Sequence, residues 1–202
     1  MPRLTLPQKL LWISVLVAAL GAIALRAWVD DEPVAATVTT GEPEVRADFR
    51  LIDQTGATRT QADFAGRWML VLFGFTNCPD ICPTGLATMA EVLDGLGSDA
   101  GAVQPLFVTV DPVRDTPAVL AEFVPAFHPS ILGLTGTPEA VTSATKAFRI
   151  FAERIDDAAA PGGYMMEHSA PMYLFDPVGG FVRPFSYGTP ADEIVADIKA
   201  RI

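Results

Sequence analysis

The residues best suited to chemistry are Cys78 and Cys82, the only two cysteines of the sequence. They follow residues 69–75, an unbroken apolar run that is typical of a strand buried on both faces. Apolar side chains then recur every three or four positions, which predicts a helix with a buried face of Cys82, Leu86, Met89, Leu93 and Leu96. The cysteines are therefore predicted at a strand-to-helix turn, where backbone N–H groups and the helix dipole favour thiolate.

Two cysteines at this spacing can form a structural disulfide, exchange electrons or hold a metal ion. A disulfide that closes so short a loop constrains the unfolded chain little. Thioredoxin-type exchange usually uses two intervening residues, whereas three here place the sulfurs about one helical turn apart on one face. Two thiolates favour soft ions, Cu(I) above all and zinc less exclusively. Metal binding is the leading hypothesis, and thiol–disulfide exchange by the same pair is the alternative.

The histidines bear on which metal site could form. A closed structural zinc site needs four protein ligands, and the chain has two cysteines and two histidines. His168 is predicted in a loop that overhangs the cysteine turn, where a neutral imidazole would complete a site of two cysteines and one histidine. His128 is interpreted as a surface or helix-end residue. Met165 and Met166 are soft side chains that we interpret as packing.

Two acidic residues lie near the predicted turn. Asp111 ends the apolar strand predicted over residues 106–110, and the carboxyl ends of parallel strands meet at the functional edge of a sheet. Asp111 is therefore predicted either to contact the metal ligands without binding the metal itself or to dock a partner. Turn formation is the alternative. Asp80, between the cysteines, is interpreted as a helix-start acid.

The pattern of elements predicts an α/β fold with a mixed central sheet flanked by helices. Three helices share one predicted start signal, a threonine N-cap followed by proline, at Thr116-Pro117, Thr137-Pro138 and Thr189-Pro190. The strand–cysteine–helix start and the final hairpin and helix fit a thioredoxin-like layout. That layout commonly has a cis-proline facing the cysteines, and Pro171 occupies the corresponding position.

Residues 1–30 are predicted to be a single membrane-spanning anchor. Residues 10–25 carry no charge and follow Arg3 and Lys9, which predicts a cytoplasmic N-terminus and an exported body. The alternative is a signal peptide cleaved near Ala22-Ile23-Ala24. Residues 31–44 are predicted to be a flexible linker, and residues 45–202 the folded domain. The formal net charge of −10 argues against nucleic acid as a partner.

The sequence resembles the Sco/SenC family of membrane-anchored copper proteins. The resemblance is carried by residues 73–84, by Val110-Asp111-Pro112 with residues 114–117, and by His168-Ser169 followed by Tyr173-Leu174 and Asp176-Pro177. It covers residues 45–202 and implies a thioredoxin-like fold. It also implies that Cys78, Cys82 and His168 are copper ligands and that Asp111 is a functionally linked neighbour. The family commonly has aspartate before the histidine, where this chain has Glu167.

The resemblance further implies a copper metallochaperone, with the copper held as Cu(I), as Cu(II) or as both at different stages. The expected recipient is the dinuclear copper centre of cytochrome c oxidase subunit II or another copper acceptor. Reduction of that subunit's cysteines by Cys78 and Cys82, with a thiol reductant as a further partner, is the alternative activity. The expected location is the inner membrane, in a single-pass arrangement with the C-terminal domain on the periplasmic side.

Overall fold

The computed structural model of the chain describes residues 20–21 and 45–202. The chain divides into two units, Met1–Glu44 and Val45–Ile202, and Leu20 and Gly21 are helical in the first. Apart from those two residues, the predicted anchor and linker lie outside the described part of the chain. Among the described residues, no helix has both the length and the apolar character needed to cross a membrane.

The second unit alternates strands with helices, as the sequence predicts. Its strands are β1 Arg50–Asp53, β2 Thr58–Thr60, β3 Trp68–Gly74, β4 Val103–Thr109, β5 Leu132–Thr135, β6 Ala152–Asp156, β7 Tyr164–His168, β8 Met172–Phe175 and β9 Phe181–Phe185. Its α-helices are α1 Ile81–Leu96, α2 Pro117–Phe123, α3 Pro138–Ala147 and α4 Ala191–Lys199. Short 3₁₀ turns complete several of the connections.

Seven strands form one mixed sheet in the order β2-β1-β5-β4-β3-β8-β9. The central strands β3, β4 and β5 are parallel, and β8 joins β3 in the antiparallel sense. Gly74 and Thr109 are register partners at the carboxyl ends of β3 and β4, so the chain leaves both strands at one edge. The prediction of a thioredoxin-like α/β fold with a mixed central sheet is confirmed, and it places the cysteine turn beside the segment containing Asp111.

The sheet separates two apolar cores. Along β3, Val71 and Phe73 face one core while Leu70 and Leu72 face the other, because successive strand residues point to opposite faces. The predicted apolar face of α1 is confirmed, since all five of its members are buried. Burial on both sides makes β3 a rigid support for the turn that follows it.

A two-stranded ribbon, β6 with β7, forms a separate small sheet. The prediction that His168 lies in a loop was wrong, because His168 is the last residue of β7. The sequence of residues 148–155 also predicts a strand, but β6 begins only at Ala152. Phe148 is instead the C-cap residue that follows α3, and its ring centroid lies 5.0 Å from that of the core residue Phe73.

Two of the three threonine caps form as predicted. Thr116 accepts a hydrogen bond from the Val119 N–H, and Thr137 accepts one from the Ala140 N–H. The third prediction was wrong, because the Thr189 hydroxyl donates to the Ser186 carbonyl and leaves Pro190 at the N-cap position. The described residues contain no cis peptide bond, so the bond preceding Pro171 is trans, unlike the proline of the predicted layout.

Candidate metal centre

The cysteine turn begins where β3 ends. Cys78 donates its backbone N–H to the Phe75 carbonyl at 3.2 Å, and Cys82 is the second residue of α1. A Cβ atom on Gly74 would lie 2.9 Å from the Cys82 sulfur and 2.8 Å from the Phe107 ring. Only glycine therefore lets the strand approach the Cys82 side chain so closely. Both cysteines are free thiols.

His168 lies directly against Cys82. Its Nε2 is 3.4 Å from the Cys82 sulfur, and its Nδ1 is 2.9 Å from the Ser169 carbonyl oxygen. Because a carbonyl oxygen only accepts hydrogen bonds, Nδ1 carries the proton and the Nε2 lone pair faces the sulfur. An imidazole fixed in this way, with one nitrogen held by the protein and the other free, is the usual arrangement of a metal-binding histidine.

Burial controls the protonation of both groups. Burial raises the pKa of the Cys82 thiol above its ordinary value of 9.0, and the neighbouring Cys78 raises it further, against a hydrogen bond to the Phe75 backbone that lowers it. The expectation that the helix start favours thiolate was wrong for Cys82 in the metal-free protein. Burial also lowers the pKa of His168, although the hydrogen bond to the Ser169 carbonyl partly opposes this. A neutral imidazole beside a neutral thiol is the result at pH 7.

Cys78 is the third member of the group and lies next to Cys82. Its side chain is half-buried and shares a hydrogen bond with the Cys82 thiol. Within residues 20–21 and 45–202, no three histidine, cysteine or acidic side chains are already gathered around a common point where an ion could sit. The metal-free site is thus a fixed sulfur–imidazole pair with a second thiol next to it. Two soft sulfurs and one free imidazole lone pair fit a soft, low-coordinate ion such as Cu(I).

Asp111 does not contact the cysteines or His168. Its carboxylate accepts a hydrogen bond from the Tyr164 hydroxyl at 2.9 Å and forms an ion pair with Arg114. Arg114 also donates to the carbonyl oxygens of Pro161 and Tyr164, at 2.9 and 3.1 Å, and stacks 3.8 Å from the centroid of the Tyr164 ring. Asp111 therefore belongs to a set of contacts that attaches the start of β7, the strand that ends at His168.

Asp115 was assigned no role from the sequence, but it supports the turn that leads to Cys78. It is fully buried and accepts hydrogen bonds from the Thr76 N–H, the Thr76 hydroxyl and the Thr109 hydroxyl, at 3.0, 2.5 and 2.6 Å. Burial raises its pKa, and these hydrogen bonds oppose the rise. Asp115 thus joins β4 to the residues just before Cys78. Its position directly before a threonine N-cap gave no sign of this role, because its partners are remote in sequence.

An open cleft of about 470 Å³ adjoins the site. One wall is Phe75 with residues 78–81, and the other is Ile155 with residues 165–168. Met165 and Met166 line it and also pack against the core, which agrees with their interpretation as packing residues. His128 lies elsewhere and accepts the Ser130 N–H at 3.1 Å. Asp80 holds the N-cap position of α1, as expected, and its carboxylate accepts the Thr84 hydroxyl at 3.3 Å.

Comparison with known proteins places the chain in a family. The profile of the family described as SCO1/SenC matches residues 37–202. The chain belongs to the SCO1/SenC family. A SCO2-like protein of Rickettsia felis is 35% identical over 195 residues, which cover 95% of each chain. The mitochondrial protein SCO1 of Saccharomyces cerevisiae is 41% identical over 167 residues, covering 80% of this chain and 57% of the yeast protein.

Solved structures of SCO1/SenC relatives share the fold. Copper-bound ScoI of Bradyrhizobium japonicum is 37% identical, with a TM-score of 0.73, and covers 78% of this chain and 99% of its own. Copper-bound Sco1 of yeast is 40% identical, with a TM-score of 0.70, and covers 79% of this chain and 91% of its own. Copper is therefore bound in relatives that share both the fold and much of the sequence.

Proposed function

We propose that this chain is a copper metallochaperone in which the thiolates of Cys78 and Cys82 and the Nε2 atom of His168 bind one copper ion. The observation that carries the proposal is the Cys82–His168 contact at 3.4 Å, with the imidazole already in the tautomer that a metal needs. Copper binding by relatives of the same fold supports it.

Binding requires two changes at the site. Cys82 and Cys78 release their thiol protons, and the half-buried Cys78 side chain turns toward the sulfur–imidazole pair. The backbone N–H of Phe75, which already hydrogen-bonds to the Cys82 sulfur, stabilises the thiolate that forms. A site with one accessible ligand suits a protein that accepts an ion and passes it on, because an acceptor thiolate can replace Cys78 before Cys82 and His168 dissociate from the ion.

The acceptor is proposed to belong to cytochrome c oxidase, with its dinuclear copper centre as the destination. The N-terminal segment is proposed to tether the copper domain to the inner membrane, with the domain on the periplasmic side. The basic residues that precede the uncharged run support that orientation.

An anaerobic Cu(I) titration of the reduced full chain tests the proposal. We expect one tightly bound copper per wild-type chain, loss of that binding in the Cys78→Ser/Cys82→Ser double variant, and a weakened site in His168→Ala. His128→Ala is the matched control and should bind as wild type does, because His128 lies away from the site. Equal affinity in His168→Ala and wild type would contradict the assignment of His168.

Thiol–disulfide exchange remains the second candidate because a half-exposed thiol, Cys78, lies next to a buried one. The position of Pro171 in the thioredoxin-like layout also suggests exchange, but the peptide bond that precedes it is trans. This activity would require both cysteines but not His168. Reduction of a partner disulfide by His168→Ala at the wild-type rate, without stoichiometric copper binding by wild type, would favour exchange over copper delivery.

A further inference from the structure

The strand that carries His168 has a free edge. Within the described residues, β7 pairs only with β6, in a two-stranded ribbon. The hydrogen bonds from Asp157 to Gly163 and from Ser169 to Phe151 extend the ladder at its two ends. Because hydrogen-bonded pairs alternate in an antiparallel ladder, Met165 and Glu167 bond to β6, whereas the backbone groups of Tyr164, Met166 and His168 point away from it.

One outward group of this edge is occupied and the others are open. The Tyr164 carbonyl accepts a hydrogen bond from Arg114 at 3.1 Å. Among the described residues, the backbone N–H and C=O groups of Met166 and the backbone N–H of His168 have no hydrogen-bond partner. Unpaired strand edges of this kind are templates for pairing with another chain.

The open edge lies along the cleft beside the proposed copper ligands. Four consecutive residues of β7, 165–168, line the cleft, and consecutive strand residues point to opposite faces. The cleft therefore borders the backbone edge of β7 as well as the ribbon face that Ile155 of β6 shares with Met165. The opposite wall contains Cys78 and Ile81, so a strand added to β7, about 4.8 Å away from it, would run past the accessible thiol.

The charged side chains that line the cleft are acidic. Asp80 and Glu167 line the cleft, and its lining includes no lysine or arginine. Glu153 lies directly opposite Glu167 in the ribbon, and like charges at opposed positions destabilise a strand pair. Neither glutamate forms an ion pair among the described residues. A positively charged partner would relieve this repulsion.

We propose that the free edge of β7 is a docking strand for an extended, basic segment of the protein that exchanges copper with this chain. The segment pairs with the backbone of Met166 and His168, as in other cases where a peptide adds a strand to a sheet, and its cationic side chains lie near Glu153, Glu167 and Asp80. The identity of the partner rests on the proposed function.

The test uses a short capped peptide of alternating valine and lysine, titrated into the metal-free full chain. Calorimetry gives the affinity, and the NMR amide signals of Met166 and His168 report the contact. A copy of the peptide in which alternate backbone amides are N-methylated keeps every side chain. It cannot form a strand pair with β7, because the N–H donors of those amides are lost. We expect the N-methylated copy to bind at least about tenfold more weakly, the equivalent of one or two lost hydrogen bonds.

Two proline variants test the same edge from the side of the protein. Met166→Pro removes an outward N–H without removing a ribbon hydrogen bond, and Ala152→Pro does the same on the opposite edge. We expect Met166→Pro to weaken peptide binding about tenfold and Ala152→Pro to leave it unchanged. Glu153→Gln with Glu167→Gln should lower the affinity and its dependence on salt.

Several results would overturn the docking strand. One is the absence of binding by the valine–lysine peptide. Others are binding of the N-methylated copy, or of a peptide with glutamate in place of lysine, with the same affinity as that peptide. Dimerisation of the chain through this edge would also do so. The comparison of wild-type peptides needs no protein variant, so misfolding of a proline variant does not affect it. Peptide binding without copper binding in the separate titration would sustain the docking strand and refute the copper role.

Discussion

At the scale of single residues, Cys82 is held by its surroundings on every side. Its sulfur lies against the backbone of Gly74, 3.4 Å from the His168 imidazole, and the side chain is 1% exposed. Burial penalises a buried negative charge, so the thiol stays protonated until an ion arrives to compensate. In the proposed copper site, Cys82 therefore carries a stored proton that copper would displace.

The stored proton predicts how copper affinity depends on pH. The raised pKa of Cys82 keeps its thiol protonated at neutral pH, whereas the lowered pKa of His168 leaves its imidazole unprotonated there. Binding thus releases at least the Cys82 proton, and affinity for Cu(I) should rise at least about tenfold per unit between about pH 7 and pH 8. Competition with a chelator of known pH dependence measures this. A flat profile would show that Cys82 does not lose a proton on binding.

The close approach at Gly74 predicts a sharp steric effect. In Gly74→Ala the new methyl group would press on the Cys82 sulfur and the Phe107 ring, so we expect a loss of about 1–3 kcal/mol in the free energy of unfolding and a displaced Cys82. Gly101→Ala is the control, because a Cβ there meets no atom within 4 Å. Denaturant unfolding compares the two. Equal stability of both variants would contradict the tight packing described at Cys82.

At the scale of elements, the β6–β7 ribbon positions His168 from its far end. Tyr164 begins β7, about 13 Å along the strand from His168. The Tyr164 ring lies between two guanidinium groups, those of Arg114 at 3.8 Å and Arg154 at 3.9 Å from its centroid. Arg114 binds the body of the domain through Asp111, whereas Arg154 is solvent-exposed. Arg114 is therefore the arginine that couples the ribbon to the main sheet.

This difference predicts unequal effects of two matched substitutions. Arg114→Lys keeps the charge but loses the planar fork, so the ribbon amides of Met165 and Glu167 should exchange faster with solvent and Cu(I) affinity should fall about tenfold or less. Arg154→Lys, on the other side of the same ring, should change neither. Hydrogen exchange resolved by NMR, together with the copper titration, measures both quantities. Equal effects of the two variants would refute the positioning role of Arg114.

The sequence predicted those elements whose signal is local. The three-to-four residue spacing from Cys82 to Leu96 predicted the buried face of α1, and the unbroken run before Cys78 predicted a doubly buried strand. It did not predict β7, because residues 164–168 lack a regular alternation and follow a pair of glycines. Tyr164 is buried because it forms hydrogen bonds with Asp111 and Arg114, which lie about fifty positions earlier in the chain. Contacts between residues so far apart in the chain produce no periodic pattern in the sequence.

The candidate site shows the same division. Residue type and spacing were enough to single out Cys78, Cys82 and His168, which the structure brings together at one edge of the sheet. They were not enough for the protonation of Cys82, which depends on burial by Gly74, Phe107 and the ribbon. Asp115 was missed because its role depends on Thr76 and Thr109, which only the fold brings to it.

At the scale of the whole domain, the proposed ligands are supported by different elements. Cys82 is supported by the central strand β3 and the first turn of α1, and His168 by the β6–β7 ribbon. Cys78 lies in the turn between β3 and α1, and its side chain is accessible from the cleft. In the proposed copper site, two supported ligands and one accessible ligand would allow both binding and release of the ion.

The most direct test of the copper site is X-ray absorption on the full chain loaded with one equivalent of Cu(I). The proposed ligands predict two sulfur scatterers and one nitrogen scatterer in wild type, and loss of the nitrogen in His168→Ala. A spectrum with sulfur alone in wild type would contradict the role of His168. A nitrogen that persists in His168→Ala would show that copper is held by a ligand set other than Cys78, Cys82 and His168.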